Sequence, residues 1–155
     1  MSFNIAIDGP AGAGKSTIAK KIAKELGFVY VDTGAMYRAM ALYFLRSNIS
    51  NEDEQAISRA SENVEITIQY ENGEQQVFLN GENVSGEIRK EEVGNMASKT
   101  SGYGQVRKKL VELQQQLAKK ADVVMDGRDI GTVVLPDAQV KVYFCLLYTS
   151  DAADD

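Results

Sequence analysis

The apolar positions of this chain fall into three kinds of run, and their order predicts the architecture. Phe3-Asn4-Ile5-Ala6-Ile7 is a short, nearly continuous apolar stretch ending at Asp8, the pattern of a parallel strand buried on both faces, over 3–8. Ile18, Ala19, Ile22, Ala23 and Leu26 then recur at helical spacing, which predicts a helix over 15–26 closed by Gly27 at its C-cap. Phe28-Val29-Tyr30-Val31 is a second apolar run, so strand, helix and strand follow as a right-handed parallel unit. Ligands of such sheets gather beyond the carboxyl ends of the strands, where Asp32-Thr33-Gly34 lies. Residues 35–46 read as a helix capped by Asp32 or Thr33, with Met36, Met40 and Tyr43 as a core-packing stripe. A second, more acidic helix is expected from Asn51 to Ala60, starting at Ser50-Asn51.

From Val64 the period changes to two. Val64 to Tyr70 alternates strictly, Asn72-Gly73 supplies a tight turn, and Gln76 to Asn80 returns, which predicts an antiparallel insertion over 62–86. Ser85-Gly86-Glu87-Ile88-Arg89 leads into a helix expected over 87–98, and Ser101-Gly102-Tyr103-Gly104 breaks the chain. Gln105 to Lys120 is amphipathic, with Val106, Leu110, Leu113 and Leu117 on one face and Arg107 in the first turn. Asp122-Val123-Val124-Met125-Asp126 is an apolar strand with an acidic end, and Val140 to Phe144 is the last strand.

The chemistry begins between the first strand and the first helix. Gly9-Pro10-Ala11-Gly12-Ala13-Gly14-Lys15-Ser16-Thr17 has the spacing G-x-x-x-x-G-K-[ST], a phosphate-binding loop in the position such a loop requires. Glycines let successive N–H groups point inward as an anion cradle, and the helix adds its N-terminal dipole. Lys15 would reach the outer phosphates of a nucleoside triphosphate and the Ser16 hydroxyl would ligate a bridging Mg²⁺. Asp126 fits the second carboxylate of such sites, holding Mg²⁺ through water; a surface turn residue is the alternative. Arg38 stands one turn inside a helix that starts at the ligand edge, where the alternative is a solvated side chain. Arg128-Asp129 follows Gly127 at the same edge, with a mutual ion pair as the alternative. The fold class is therefore α/β: a P-loop parallel sheet flanked by helices, with a small antiparallel β insertion.

Composition narrows the function classes. A length of 155 residues is one domain's worth of chain, 44% apolar and 25% charged, as in ordinary soluble proteins. A net charge of −5 gives no case for nucleic-acid polymers or anionic membranes, and no run approaches a membrane span. The N-terminus enters a strand with no leader pattern, and a single cysteine excludes an intrachain disulfide framework, which together point to the cytoplasm. With no histidine, Ser-His-Asp hydrolysis and His-ligated zinc are excluded.

Four segments taken together closely resemble the bacterial-type cytidylate kinases: Asp8 to Thr17, Asp32-Thr33-Gly34-Ala35-Met36-Tyr37-Arg38, Val84 to Arg89, and Asp126-Gly127-Arg128-Asp129-Ile130-Gly131-Thr132-Val133-Val134. The resemblance covers about 3–144 and includes the antiparallel insertion, which adenylate kinases lack. It implies ATP-dependent phosphorylation of CMP and dCMP with Mg²⁺, and an acceptor site of Thr33, Arg38, Arg107, Gly127, Arg128 and Asp129. Arg38 and Arg107 would grip the monophosphate; Arg128 and Asp129 would position the nucleotide and act in catalysis with Lys15. Thr33 replaces a serine of some relatives and keeps the hydroxyl. The resemblance further implies a P-loop core at 1–34 and 120–144, an acceptor-nucleotide region at 35–119, and a monomer with small nucleotides as partners. A related kinase with another acceptor, such as a different nucleotide or shikimate, stays open, as does a non-catalytic nucleotide-binding module.

After Phe144 the family continues into an arginine-rich lid and further core. Here Cys145 to Asp155 reads instead as the in-frame translation of a sequencing adapter, a non-native tail. The expectation is that residues 1–155 alone fold poorly and transfer phosphate negligibly, because lid arginines exclude water and close over the phosphoryl group.

Overall fold

A computed structural model describes residues 2–10, 14–71 and 74–145. Ala11-Gly12-Ala13, the Asn72-Gly73 turn and residues 146–155 of the expected tail lie outside the described residues.

Two sheets carry the chain. The first strands and helices follow the expected order: β1 (Asn4–Asp8), α1 (Lys15–Leu26), β2 (Val29–Asp32) and α2 (Thr33–Arg46). Gly27 closes α1 in the left-handed region, its N–H bonded to the Ala23 carbonyl. β6 (Val123–Gly127) then inserts between β2 and β1, and β7 (Val140–Tyr143) pairs on the far side of β1. The result is a parallel four-stranded sheet in the order β2-β6-β1-β7. Side chains of β1 alternate between two cores, which is why that run is apolar throughout. Ile5 and Ile7 pack with Ala19, Ala23, Tyr30 and Val124 under α1, whereas Ala6 faces the larger cluster built on α2 and its neighbours.

The antiparallel unit is present and contains one strand more than the periodicity predicts. β3 (Ile66–Glu71) pairs with β4 (Glu74–Leu79), and β4 also pairs with a two-residue β5 (Glu82–Asn83). Val77 and Leu79 of β4 and Ile66 of β3 pack into the same core as Met36, Met40 and Phe44 of α2. Met36 and Met40 are fully buried, as expected of the stripe, while Tyr43 is half-buried.

Two helix boundaries differ from expectation, each for a local reason. α3 runs Glu54–Ser61, not from Asn51, because Asp53 caps it by accepting from the Ala56 N–H at 3.2 Å. Ser50 instead closes the preceding turn, accepting from the Glu52 N–H. The helix expected over 87–98 is two pieces, a 3₁₀ turn at Glu87–Arg89 and α4 (Glu91–Thr100), separated by Lys90 in extended conformation (ψ 146°). α5 (Gly104–Lys120) buries Val106, Leu110 and Leu113, with Leu117 packed at the margin.

Candidate active site

The carboxyl ends of β1, β2 and β6 meet in register: Asp32 of β2 lies opposite Asp126 of β6, and Asp8 of β1 lies opposite Gly127. Beside them opens a cleft of about 940 Å³, whose walls include Lys15, Thr33, Arg38, Arg107, Asp126, Gly127 and Arg128. Seven of the residues singled out from the sequence thus share one cavity. Gly9 and Pro10 are described but do not line it, nor do Ser16, Thr17 and Asp129.

The start of α1 has the electrostatics of an anion site. Gly14 precedes it in the left-handed region (φ 82°) and offers no side-chain cap, and no acidic side chain occupies the first turn. The positive end of the helix is therefore uncompensated within its own sequence. Gly9 cannot be another residue for a separate reason. A Cβ there would sit 2.7 Å from the Phe144 carbonyl, because the Phe144 N–H donates to the Asp8 carbonyl and draws the end of β7 against the loop.

Asp126 is a core residue, not the surface turn the sequence left open. It is 3% exposed and accepts a hydrogen bond from the Tyr30 hydroxyl at 2.8 Å. Burial pushes its carboxyl from 3.8 up to about 6, with Asp32 adding to the rise while the Tyr30 bond, Lys15 and Lys20 oppose it. The sign of the consequence follows directly. A carboxyl with a raised folded-state pKa binds protons more readily when folded, so its contribution to stability falls as pH rises from about 4 to about 6. By pH 7 the cost is about 3 kcal/mol. Asp126→Asn is expected to remove that slope: urea unfolding in EDTA should show the variant gaining on the wild type between pH 4.5 and 7. A difference between the two proteins that is constant with pH would contradict the assignment.

Thr33 opens α2 and is buried, its hydroxyl donating to the Asp126 carbonyl at 2.8 Å. Asp32, not Thr33, is the cap of α2, accepting from the Ala35 N–H at 3.3 Å. Arg38 is half-exposed with Nη2 3.8 Å from the same Asp32 carboxylate, so it is neither freely solvated nor tightly paired. Arg107 donates to Asp129 at 2.7 Å, which also holds its guanidinium in the charged form. The expected alternative for Arg128-Asp129, a mutual pair, is therefore not the observed one: Asp129 pairs with Arg107. Arg128 is exposed and makes no ion pair among the described residues. The two arginines expected to grip one phosphate thus stand beside different carboxylates, Arg38 near Asp32 and Arg107 on Asp129.

The Gly127-Arg128-Asp129 turn owes its shape to residues whose roles the motif does not reveal. Asp8 accepts from the Ile130 and Gly131 N–H groups at 2.7 and 2.9 Å. Asp129 itself lies in the left-handed region (φ 59°), and its carbonyl accepts from Val133 and Val134, opening a single π turn over Ile130–Val134. Such a turn leaves no periodic apolar trace. No motif marks Gln114 either: it is a buried residue of the cleft wall with Nε2 unpartnered among the described residues.

Comparison with known proteins settles the family. A model of the cytidylate kinase family matches residues 5–148. The chain belongs to the cytidylate kinase family. It is 54% identical over 141 residues to a cytidylate kinase of Caldicellulosiruptor saccharolyticus, covering 91% of this chain and 62% of that protein. With a cytidylate kinase of Caldanaerobacter subterraneus subsp. tengcongensis the identity is 55%, over 92% of this chain and 62% of the relative. With that of Lactobacillus johnsonii it is 50%, over 97% and 65%. The chain thus spans a little under two thirds of the length of the curated relatives it matches. Among the described residues no helix is long and apolar enough to cross a membrane.

Proposed function

We propose that the site transfers the γ-phosphoryl group of ATP to CMP or dCMP, with residues 35–119 forming the acceptor side. The observation that carries this reading is one cleft shared by the loop lysine, Lys15, and three arginines, Arg38, Arg107 and Arg128. A phosphate acceptor is already anionic and needs no strong base, which suits a chain without histidine. The work left to the protein is in-line alignment and cancellation of charge, and guanidinium forks are the side chains best matched to phosphate oxygens.

In this reading Gly9 to Thr17 hold the donor triphosphate, and Lys15 stands by the outer phosphates. Arg38 and Arg107 exchange their carboxylates for the acceptor's phosphate, Thr33 and Gly127 shape its seat, and Arg128 and Asp129 orient the nucleotide. The donor set also suits a hard divalent ion. Asp32 and Asp126 pair in register and offer carboxylate oxygens, and no group of three or more acidic, Cys or His ligands exists among the described residues. A cation would then keep several waters and lean on the phosphates, as Mg²⁺ does. Ser16 and Asp126 would hold it, and when bound it supplies charge neutralisation on the donor phosphates.

An ADP-release assay in a protein carrying this chain and the remaining length of its relatives tests the reading. CMP and dCMP should drive release well above UMP and AMP. Equal response to all four, or ATP binding without acceptor-dependent turnover, would favour a different kinase or a non-catalytic module.

A further inference from the structure

Tyr30 has no part in the roles assigned so far, yet it touches the cation carboxylate directly. It lies in β2 on the α1 face, 4% exposed, and its hydroxyl makes the one side-chain hydrogen bond to the Asp126 carboxylate among the described residues, at Oδ2. A bond to one oxygen fixes the rotation of the planar carboxylate and leaves Oδ1 to the cleft that Asp126 lines. Phenylalanine would fill the same core volume, so the hydroxyl answers to Asp126 and not to packing.

The tyrosine is itself held in place from outside the parallel sheet. One edge of β2 pairs with β6 and the other has no strand partner among the described residues. On that open edge the Tyr70 hydroxyl of β3 donates to the Tyr30 carbonyl at 2.7 Å, and the Asp32 N–H donates to Gln75 of β4 at 3.2 Å. Side chains of the antiparallel hairpin therefore satisfy backbone groups that a further strand would have taken. Lys20 Nζ stands 5.8 Å from the centroid of the Tyr30 ring.

We propose that Tyr30 is a positioning residue of the cation site, fixing Asp126 so that one carboxylate oxygen is presented to a hydrated divalent ion, with Tyr70 holding the strand that carries it. The inference rests on the cation role of Asp126 given above. A carboxylate free to rotate must be ordered when the ion arrives, whereas one already bonded on its far oxygen is not; loss of such outer partners typically costs about 10- to 100-fold in metal affinity.

Mn²⁺ is the probe, titrated by electron paramagnetic resonance in the presence of a non-hydrolysable ATP analogue. Tyr30→Phe should weaken Mn²⁺ binding about tenfold while leaving analogue affinity in EDTA unchanged. In an Asp126→Asn background the same change should have no further effect, since the oxygen it orients is gone. Tyr70→Phe, which leaves Tyr30 and Asp126 intact, should weaken Mn²⁺ about two- to threefold by the same logic. Tyr30→Phe binding Mn²⁺ within twofold of wild type would overturn the proposal, as would an equal loss with and without Asp126. If Tyr30→Phe does not fold, the Tyr70→Phe result decides alone, and unchanged affinity there overturns it. Asp126→Asn binding Mn²⁺ like wild type would instead contradict the cation role itself, a separate failure.

Discussion

Lys15→Ala is expected to lower kcat/KM for ATP by about a hundred- to a thousandfold, the scale seen when one preorganised charge-stabilising donor is removed. The reason lies in what surrounds the residue. Lys15 is the first residue of α1, follows a glycine with no capping side chain, and begins a first turn that has no acidic group to compensate. It also lowers the protonation tendency of Asp126 across the cleft. On the proposed function the variant loses the lysine's contact with the outer phosphates, and it leaves the Asp126 carboxyl more easily protonated. Arginine at this position should restore little, because a planar fork and a compact ammonium are not interchangeable as phosphate ligands. Steady-state kinetics in the full-length protein, with circular dichroism to show an intact fold, reads the effect directly. Unchanged turnover in Lys15→Ala would end the assignment of this loop as the donor site.

Gly127→Ala should be the most damaging single methyl in the site. A Cβ at 127 would stand 2.1 Å from the Thr33 hydroxyl oxygen and 3.0 Å from Ile130 Cδ1. The hydroxyl cannot simply turn away, since it donates to the carbonyl of Asp126, and Thr33 is buried in the first turn of α2. Either β6 shifts against α2 or the bond breaks. Overpacking of this kind costs about 1–3 kcal/mol, and a broken buried hydrogen bond adds about 1 more. A loss of roughly 2–4 kcal/mol lowers Tm by roughly 5–15 °C in a protein of this size. Thr33→Ala combined with Gly127→Ala should recover part of the stability, since it removes the atom in collision, without recovering CMP affinity. A Tm within 2 °C or so of wild type for Gly127→Ala would show that the contact is slack.

Legibility in the sequence divides along a physical line. Elements with regular burial announce themselves: α1, the β3–β4 hairpin and α5 lie where the period of their apolar residues requires, and β1, buried on both faces, shows as a continuous apolar run. The P-loop spacing, the Asp126 carboxylate and Arg107 in the first turn of its helix were readable in the same way. Features that depend on one tertiary hydrogen bond were not readable. The π turn over Ile130–Val134 exists because Asp8, more than a hundred residues earlier, accepts its first two N–H groups. The pairing of Asp129 with Arg107, and not with adjacent Arg128, follows from Asp129 adopting a left-handed backbone as α5 brings Arg107 alongside. Tyr30 read as one apolar residue of a short strand, and only the register of β2 against β6 shows its hydroxyl meeting Asp126. The break at Lys90 and the start of α3 at Asp53 show the same limit at helix ends, where a single capping bond decides.

On the proposed function one cleft holds two nucleotides at once, a triphosphate at the start of α1 and a monophosphate between Arg38 and Arg107. Calorimetric titration of CMP into the protein, with and without a saturating non-hydrolysable ATP analogue and Mg²⁺, tests it most directly. CMP should bind in both cases at one site per chain, and Arg107→Ala should abolish CMP binding while leaving the analogue's affinity within about twofold, since a guanidinium–phosphate bond is lost on one side only. If CMP instead competes with the analogue for a single site, or binds Arg107→Ala as it binds the wild type, the two-site account is wrong.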